Sequence, residues 1–187
     1  MLYTLDKEND MPENFTIRAA RYDDIENILK VNQRAWDISY QGCIPNNILQ
    51  ERHHTFPERL TKWQASWHDK ISFVAEINGQ IIGETTGAAQ ALTNECDCLL
   101  NTLYVHPDYQ GQGIGKALFL KFTEKMKKLN KRKLEIHTLY RGIPDNKGIA
   151  KAGPSIGFYK KMGCTLTEIY DTHPLGMIDV LMIKEII

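Results

Sequence analysis

The alternation of apolar and polar positions is clearest at residues 70–91, "KISFVAEINGQIIGETTGAAQA", where two runs flank Asn78-Gly79. Asn-Gly suits a two-residue type I′ turn, whose twist matches that of the flanking strands, so this stretch predicts a β-hairpin. "FTIRAA" (Phe15–Ala20) alternates similarly and reads as an earlier strand. The period then changes. Ile25, Ile28, Leu29, Asn32 and Trp36 recur at helical spacing. Asp23 or Asp24 suits the first turn of that helix, where a carboxylate complements the dipole. Gly42 and Pro45 end the pattern, and prolines open two short predicted helices, Pro45–Arg52 and Pro57–His68.

"CDCLLNTLYVH" (Cys96–His106) reads as a further strand, largely apolar and stopped by Pro107. Ile114, Leu118, Phe119, Phe122, Met126 and Leu129 then line one face of a helix. "KLEIHTLY" (Lys133–Tyr140) is a strand, followed by a loop from Arg141 to Gly153. "PSIGFYKKMG" makes a short helix ending at Gly163, and "CTLTEIYD" and "GMIDVLMIKEI" make two closing strands. Residues 1–14 read as a leader and 15–187 as one domain, mixed α/β (α+β), with helices packed on a sheet. Leu99–Tyr140 is a βαβ unit within it.

Composition narrows the function. At 187 residues, 25% charged and 42% hydrophobic, the chain reads as one soluble globular domain. Lys+Arg and Asp+Glu are equal at 23 each, which argues against a nucleic-acid partner. "KMKKLNKRK" (Lys125–Lys133) reads as a solvated helix face running into a strand. The N-terminus has no apolar signal segment, and no run approaches the roughly 20 apolar residues of a membrane span. A cytoplasmic location and no membrane partner are therefore expected. Cys43, Cys96, Cys98 and Cys164 lack the paired spacing of a zinc site, so no metal is expected.

The chemistry concentrates in "LYVHPDYQGQGIGKALF" (Leu103–Phe119), with three glycines in five residues. A P-loop requires a hydroxyl after Gly-Lys, but Ala117 follows Gly115-Lys116, and Gln110 stands where its first glycine belongs. A dinucleotide fingerprint fits Gly111 and Gly113, then meets Lys116 at its third glycine. A third pattern, Q-x-x-G-x-G, places Gln110, Gly113 and Gly115 in register. Its amides, at a helix N-terminus, suit a pyrophosphate. A tight βα turn that binds nothing is the bland alternative.

This stretch resembles the acetyl-CoA-binding core of the GNAT acetyltransferase superfamily. "FTIRAARYDDIENI" resembles the family's opening strand and helix, "FVAEINGQIIGETTG" its central hairpin, and "GFYKKMGCTL" its late helix-to-strand motif. The resemblance implies a twisted, mostly antiparallel sheet of about seven strands, with the fourth and fifth splayed apart. It implies that acetyl-CoA, the acetyl donor, lies in that gap. Leu103, Tyr104 and Val105 would offer backbone groups to the pantetheine arm. The amides of Gln110, Gly111, Gln112, Gly113, Ile114, Gly115 and Lys116 would hold the pyrophosphate. Tyr159 matches the family's general acid beside the sulfur. The implied reaction moves acetyl to a primary amine of a small molecule or peptide, by a monomer or homodimer. "GMIDVLMIKEII" is apolar enough to pair between copies.

Two departures matter. Many relatives carry a glutamate about four residues before the L-Y-V segment, where this chain has Leu99. An alkylamine with a pKa of about 10.4 still needs a proton acceptor near neutral pH. Asp97 and Asn101, Glu84, and His137 are candidates for base or amine-binding group. Relatives also often have an asparagine shortly before the Phe-Tyr pair; here Ala152 and Ser155 hold those positions, and Asn146 is further upstream as a possible cofactor ligand. Trp36, Tyr40, Phe56, Trp63 and Trp67 supply aromatics where relatives form an acceptor wall. The missing glutamate also motivates an alternative, a non-catalytic acyl-CoA-binding sensor on the same fold.

Overall fold

The computed structural model describes residues 15–141, 155–172 and 178–186. Seven strands form one sheet: β1 (Thr16–Ala19), β2 (Ile71–Ile77), β3 (Gln80–Ala88), β4 (Cys98–Val105), β5 (Lys133–Arg141), β6 (Thr165–Thr172) and β7 (Ile178–Glu185). Their order across the sheet is β1-β2-β3-β4-β5-β7-β6, and every neighbouring pair is antiparallel except β4 and β5. Five helices accompany them: α1 (Ile25–Ser39), α2 (Asn46–His54), α3 (Phe56–Ala65), α4 (Ile114–Lys128) and α5 (Ile156–Lys161). This is the mixed α/β sheet the pattern predicts, with Asn78-Gly79 turning the β2–β3 hairpin at positive φ.

Successive strand residues point to opposite faces, and each face has its own helix. Val74 and Ile81 pack with Ile28 and Val31 of α1, and Trp63 and Trp67 close over that cluster. On the other face Phe73, Ala75, Leu100, Leu134 and Ile136 meet Leu118, Phe119 and Phe122 of α4. The α4 stripe is as the spacing predicts except at its end, because Leu129 lies beyond the last turn and is exposed. The helix expected to reach His68 stops at Ala65 and gives way to a tight turn over Trp67–Asp69. β7 lies between β5 and β6, so both of its edges are used within this sheet. Its apolar character follows from that interior position and requires no pairing between copies.

Two irregularities bend β4 and open the sheet beside it. Thr86 pairs with Thr102 but Gly87 pairs with Leu100, leaving Asn101 as an extra residue, a bulge. Without it, Leu100, Thr102 and Tyr104 would share a face. With it, Leu100 faces α4, whereas Thr102 reaches Glu84 and Tyr104 reaches Trp36 of α1. The second irregularity is on the other edge. β4 pairs with β5 only at Cys98↔Leu134, Leu99↔Glu135 and Leu100↔Ile136, and then the two strands part.

Candidate active site

The parting strands leave a cleft of about 400 Å³ whose walls include Leu103, Tyr104 and Val105 of β4, Gly113, and Ile114 and Lys116 of α4. The loop leading into α4 sets its chemistry. Gly111 and Gly113 take φ of 78° and 81°, left-handed values that side chains resist, and Gly113 caps the helix. Among the described residues, the backbone N–H groups of residues 111–116 meet no hydrogen-bond acceptor. Those of residues 114–116 belong to the first turn of α4, where donors lack intrahelical partners and the dipole favours anions, and those of residues 111–113 lead into it.

The glutamine side chains hold the loop. Gln110 Nε2 donates to the Val105 carbonyl at 3.0 Å, and Gln112 Nε2 to the Asp108 carbonyl at 3.3 Å. A methyl group at Gly115 would meet only Phe158 at 3.5 Å and Leu103 at 3.7 Å, both ordinary contacts. What it would fill is the cleft. Open amides, a helix N-terminus and Lys116 and Lys161 in the walls fit a phosphate-bearing ligand with an apolar arm along β4.

A smaller cavity of about 160 Å³ adjoins the cleft, with residues of both β4 and β5 in its walls. It shares Tyr40, Leu103, Tyr104, Ser155 and Tyr159 with the cleft. Its further walls include Asn101, His137, Thr138 and Asp179. Tyr159 therefore stands where the two spaces meet. Its ring is fixed edge-on by Phe158 at 5.2 Å, with Phe119 at 6.2 Å. Its hydroxyl has no hydrogen-bond partner among the described residues. Burial, with Tyr104 nearby, holds its pKa well above the ordinary phenol value, so it keeps its proton.

The aromatic wall is a connected set. Trp36 Nε1 donates to the Tyr104 hydroxyl at 2.7 Å, and the Tyr40 ring lies against that of Trp36, centroids 4.4 Å apart and tilted by 36°. The Arg52 guanidinium lies 3.7 Å over the Trp36 ring and donates to Asn32 at 2.9 Å. Burial lowers its pKa to about 10. Of the five aromatics expected at the acceptor side, Trp36 and Tyr40 line the cavity. Trp63 and Trp67 belong to the core beneath α1, and Phe56 lies under Arg59.

The four acid–base candidates separate. Glu84 is fully buried and lines neither space; it faces α1, and its Oε2 accepts from Thr102 at 3.0 Å and Thr86 at 3.2 Å. Its Oε1 has no partner. Burial pushes its pKa up to about 7, against the pull of those two hydroxyls. Asp97 is not brought to the site. It lies at the paired end of β4 and β5, accepting the Arg132 and Lys133 amides at 2.9 Å each, which hold its pKa below the usual carboxylate range. Alternation gives it the face of Asn101, but four residues along a strand, about 13 Å, separate the two. Asn101, on the bulge, does line the small cavity. Asn146 lies outside the described residues.

His137 also lines the small cavity, and its Nε2 is 2.5 Å from Glu135 Oε1. Neither Glu135 nor its partner Thr93 stood among the candidates. The available signal was the period-two pair Glu-x-His in "KLEIHTLY", two side chains on one strand face. Among the described residues no cluster of three or more His, Cys, Asp or Glu is placed to hold a metal, and no helix is long and apolar enough to cross a membrane.

Residues 68–163 match the model of the acetyltransferase (GNAT) domain, more than half of the chain. An uncharacterized N-acetyltransferase of Methanocaldococcus jannaschii is 27% identical over 84% of the chain, which spans 63% of that relative's length. The PaiA N-acetyltransferase of Thermoplasma acidophilum, solved in complex with coenzyme A, has a similar fold, with a TM-score of 0.71 and 21% identity. That likeness covers 92% of this chain and 99% of the other. The YncA protein of Salmonella typhimurium, solved with its cofactor acetyl-CoA, matches with a TM-score of 0.61 and 18% identity, over 92% and 94% of the two chains.

Proposed function

The chain belongs to the GNAT acetyltransferase family, and from that premise we propose that it transfers the acetyl group of acetyl-CoA directly to a primary amine of a small molecule or peptide. One observation carries this reading: a large cleft with open amides and a small polar cavity meet at Tyr159, whose hydroxyl is uncommitted. A donor approaches from one side and an acceptor from the other, with a proton source between them.

Each residue then has a task. The N–H groups of residues 111–116 bind the pyrophosphate, with Lys116 adding charge. The edge of β4 from Leu103 to Val105, left without a β5 partner, lies along the pantetheine arm. The bound thioester supplies an activated acetyl group. Tyr159 gives its proton to the departing sulfur. Its raised pKa suits an acid that must remain protonated until a thiolate is generated beside it. Asn101 and the Trp36–Tyr40–Tyr104 wall hold the acceptor, and Glu84 supports β4 from behind through Thr102.

Free thiol release is the direct test. The protein, acetyl-CoA and a panel of alkylamines, polyamines and peptides should give acceptor-dependent CoA-SH. The position of Leu99, and the placement of Asp97 and Glu84 away from both spaces, favour a second reading, a non-catalytic acyl-CoA sensor. Stabilisation by CoA without turnover on any acceptor would select the sensor.

A further inference from the structure

The Glu135–His137 pair takes no part in holding the donor or protonating the sulfur, yet it is built with care. Glu135 is fully buried on β5, and both of its oxygens are used. Oε2 accepts from the Thr93 backbone N–H at 2.9 Å and from its hydroxyl at 2.6 Å, two bonds from the connection between β3 and β4. Oε1 meets His137 Nε2 at 2.5 Å. Burial alone would raise its pKa, but Thr93 and His137 outweigh that and hold the carboxyl ionised, below the usual range.

A buried carboxylate makes an imidazole N–H its donor and so fixes which ring nitrogen keeps a lone pair. With Nε2 donating to Glu135, that nitrogen is Nδ1, which meets no partner among the described residues. The imidazole is 29% exposed, in the wall of the small cavity. Facing the same space are Asp179 from β7, Tyr104 from β4, Tyr159 from α5 and Tyr40 beyond the end of α1. Asp179 gives this cavity a carboxylate of its own, in keeping with a cationic acceptor.

We infer that His137 is the proton acceptor for the incoming amine and Glu135 the residue that positions it, an assignment that rests on the acetyltransfer reading. The protons and bonds balance. His137 Nδ1 takes one proton from the acceptor ammonium, freeing the nitrogen lone pair. The N–C bond forms as the C–S bond breaks, and the sulfur takes the Tyr159 proton. The amide nitrogen loses its surplus proton, which restores Tyr159, and His137 releases its own to solvent. The net products are amide, CoA-SH and one proton.

The test compares wild type, His137→Gln and Glu135→Gln by thiol release from a primary alkylamine between about pH 6 and pH 10. His137→Gln should lower kcat/KM about 10²-fold near neutral pH, with the deficit shrinking as pH nears the amine's own pKa of about 10.4. Glu135→Gln should give a smaller loss of the same shape, a pH signature that a merely structural role would not produce. CoA affinity, measured by calorimetry, should be unchanged in both, which also confirms folding. Nitrogen-detected NMR of the wild-type imidazole should place the proton on Nε2. An active wild type with His137→Gln within threefold of it at every pH, or with a deficit independent of pH, overturns the assignment alone. So does a proton found on Nδ1. No turnover by wild type on any amine, with CoA bound, overturns the acetyltransfer reading and this role with it.

Discussion

Glu84 offers the sharpest test of the energetics of this fold. It sits fully buried between β3, β4 and α1, with one oxygen held by Thr86 and Thr102 and the other without a partner. Burial lifts its pKa from the ordinary 4.5 to about 7. The native state therefore holds this proton more tightly than the unfolded chain, and stability falls as pH rises through that window. Below the unfolded value both states are protonated and the group adds no pH dependence; above about 7 both are ionised and the full cost is present. The gap between 4.5 and about 7, at about 1.36 kcal/mol per unit, amounts to about 3 kcal/mol. Most of it is lost between those two pH values.

Glu84→Gln removes the titration while keeping the shape. Urea unfolding of both proteins from about pH 4 to about pH 8 isolates the effect, since all other groups cancel in the difference. The variant should gain on wild type by about 2 to 3 kcal/mol from the acid to the alkaline end, equivalent to roughly 4–12 °C in Tm for a chain of this size. A difference that stays level across the range would show that Glu84 titrates alike in the folded and unfolded chain, and the desolvation argument would be wrong.

Three further outcomes are expected. Gly113→Val places a branched side chain at φ 81°, at a stability cost of about 1–2 kcal/mol; CoA affinity by calorimetry should drop at least about tenfold. Circular dichroism should remain native, and unchanged affinity would sink the loop assignment. Tyr159→Phe should lower turnover about 10²-fold with CoA affinity unaltered, because it removes a proton and no packing; undiminished turnover would end the general-acid role. Gly87→Ala should destabilise by about 1–3 kcal/mol or more in thermal unfolding, because a methyl there would lie 2.1 Å from the Leu99 carbonyl and 2.5 Å from the Phe122 ring.

Much of this architecture is legible in the chain because it is written in local periods. The hairpin at Asn78-Gly79, the α1 stripe and the α4 stripe each follow from side-chain spacing that alternation or a helical turn imposes. The glycine loop is legible in register too, since only its amides and φ values matter. Features that depend on pairing are hidden. Nothing local announces that Asn101 is an extra residue, because a bulge exists only relative to the partner strand. Asp97 is likewise claimed by the Arg132 and Lys133 amides, 35 and 36 residues away, which no local pattern shows. Glu84 reads as a polar residue in a hairpin, and its burial is settled by α1, some 45 positions earlier on the chain. Glu135 and His137 show their shared face in the sequence, but the bond from Thr93, 42 residues away, does not.

The bulge is also where these features connect. β4 must pair with β3 along one edge yet release β5 on the other beyond Leu100. Inserting Asn101 at that point increases the local twist, which is what a strand parting from its neighbour requires. The same insertion turns Thr102 and Tyr104 toward α1, where they meet Glu84 and Trp36, and leaves Leu103 and Val105 along the cleft. Gly87 faces the bulge with the Leu99 carbonyl and Phe122 too close for any side chain, so the bend is keyed into the α4 core. A position that lines neither space thus bears on both. The site is a property of how β4 is bent, and changes confined to the core face at Gly87 should reach the chemistry before any wall residue is altered.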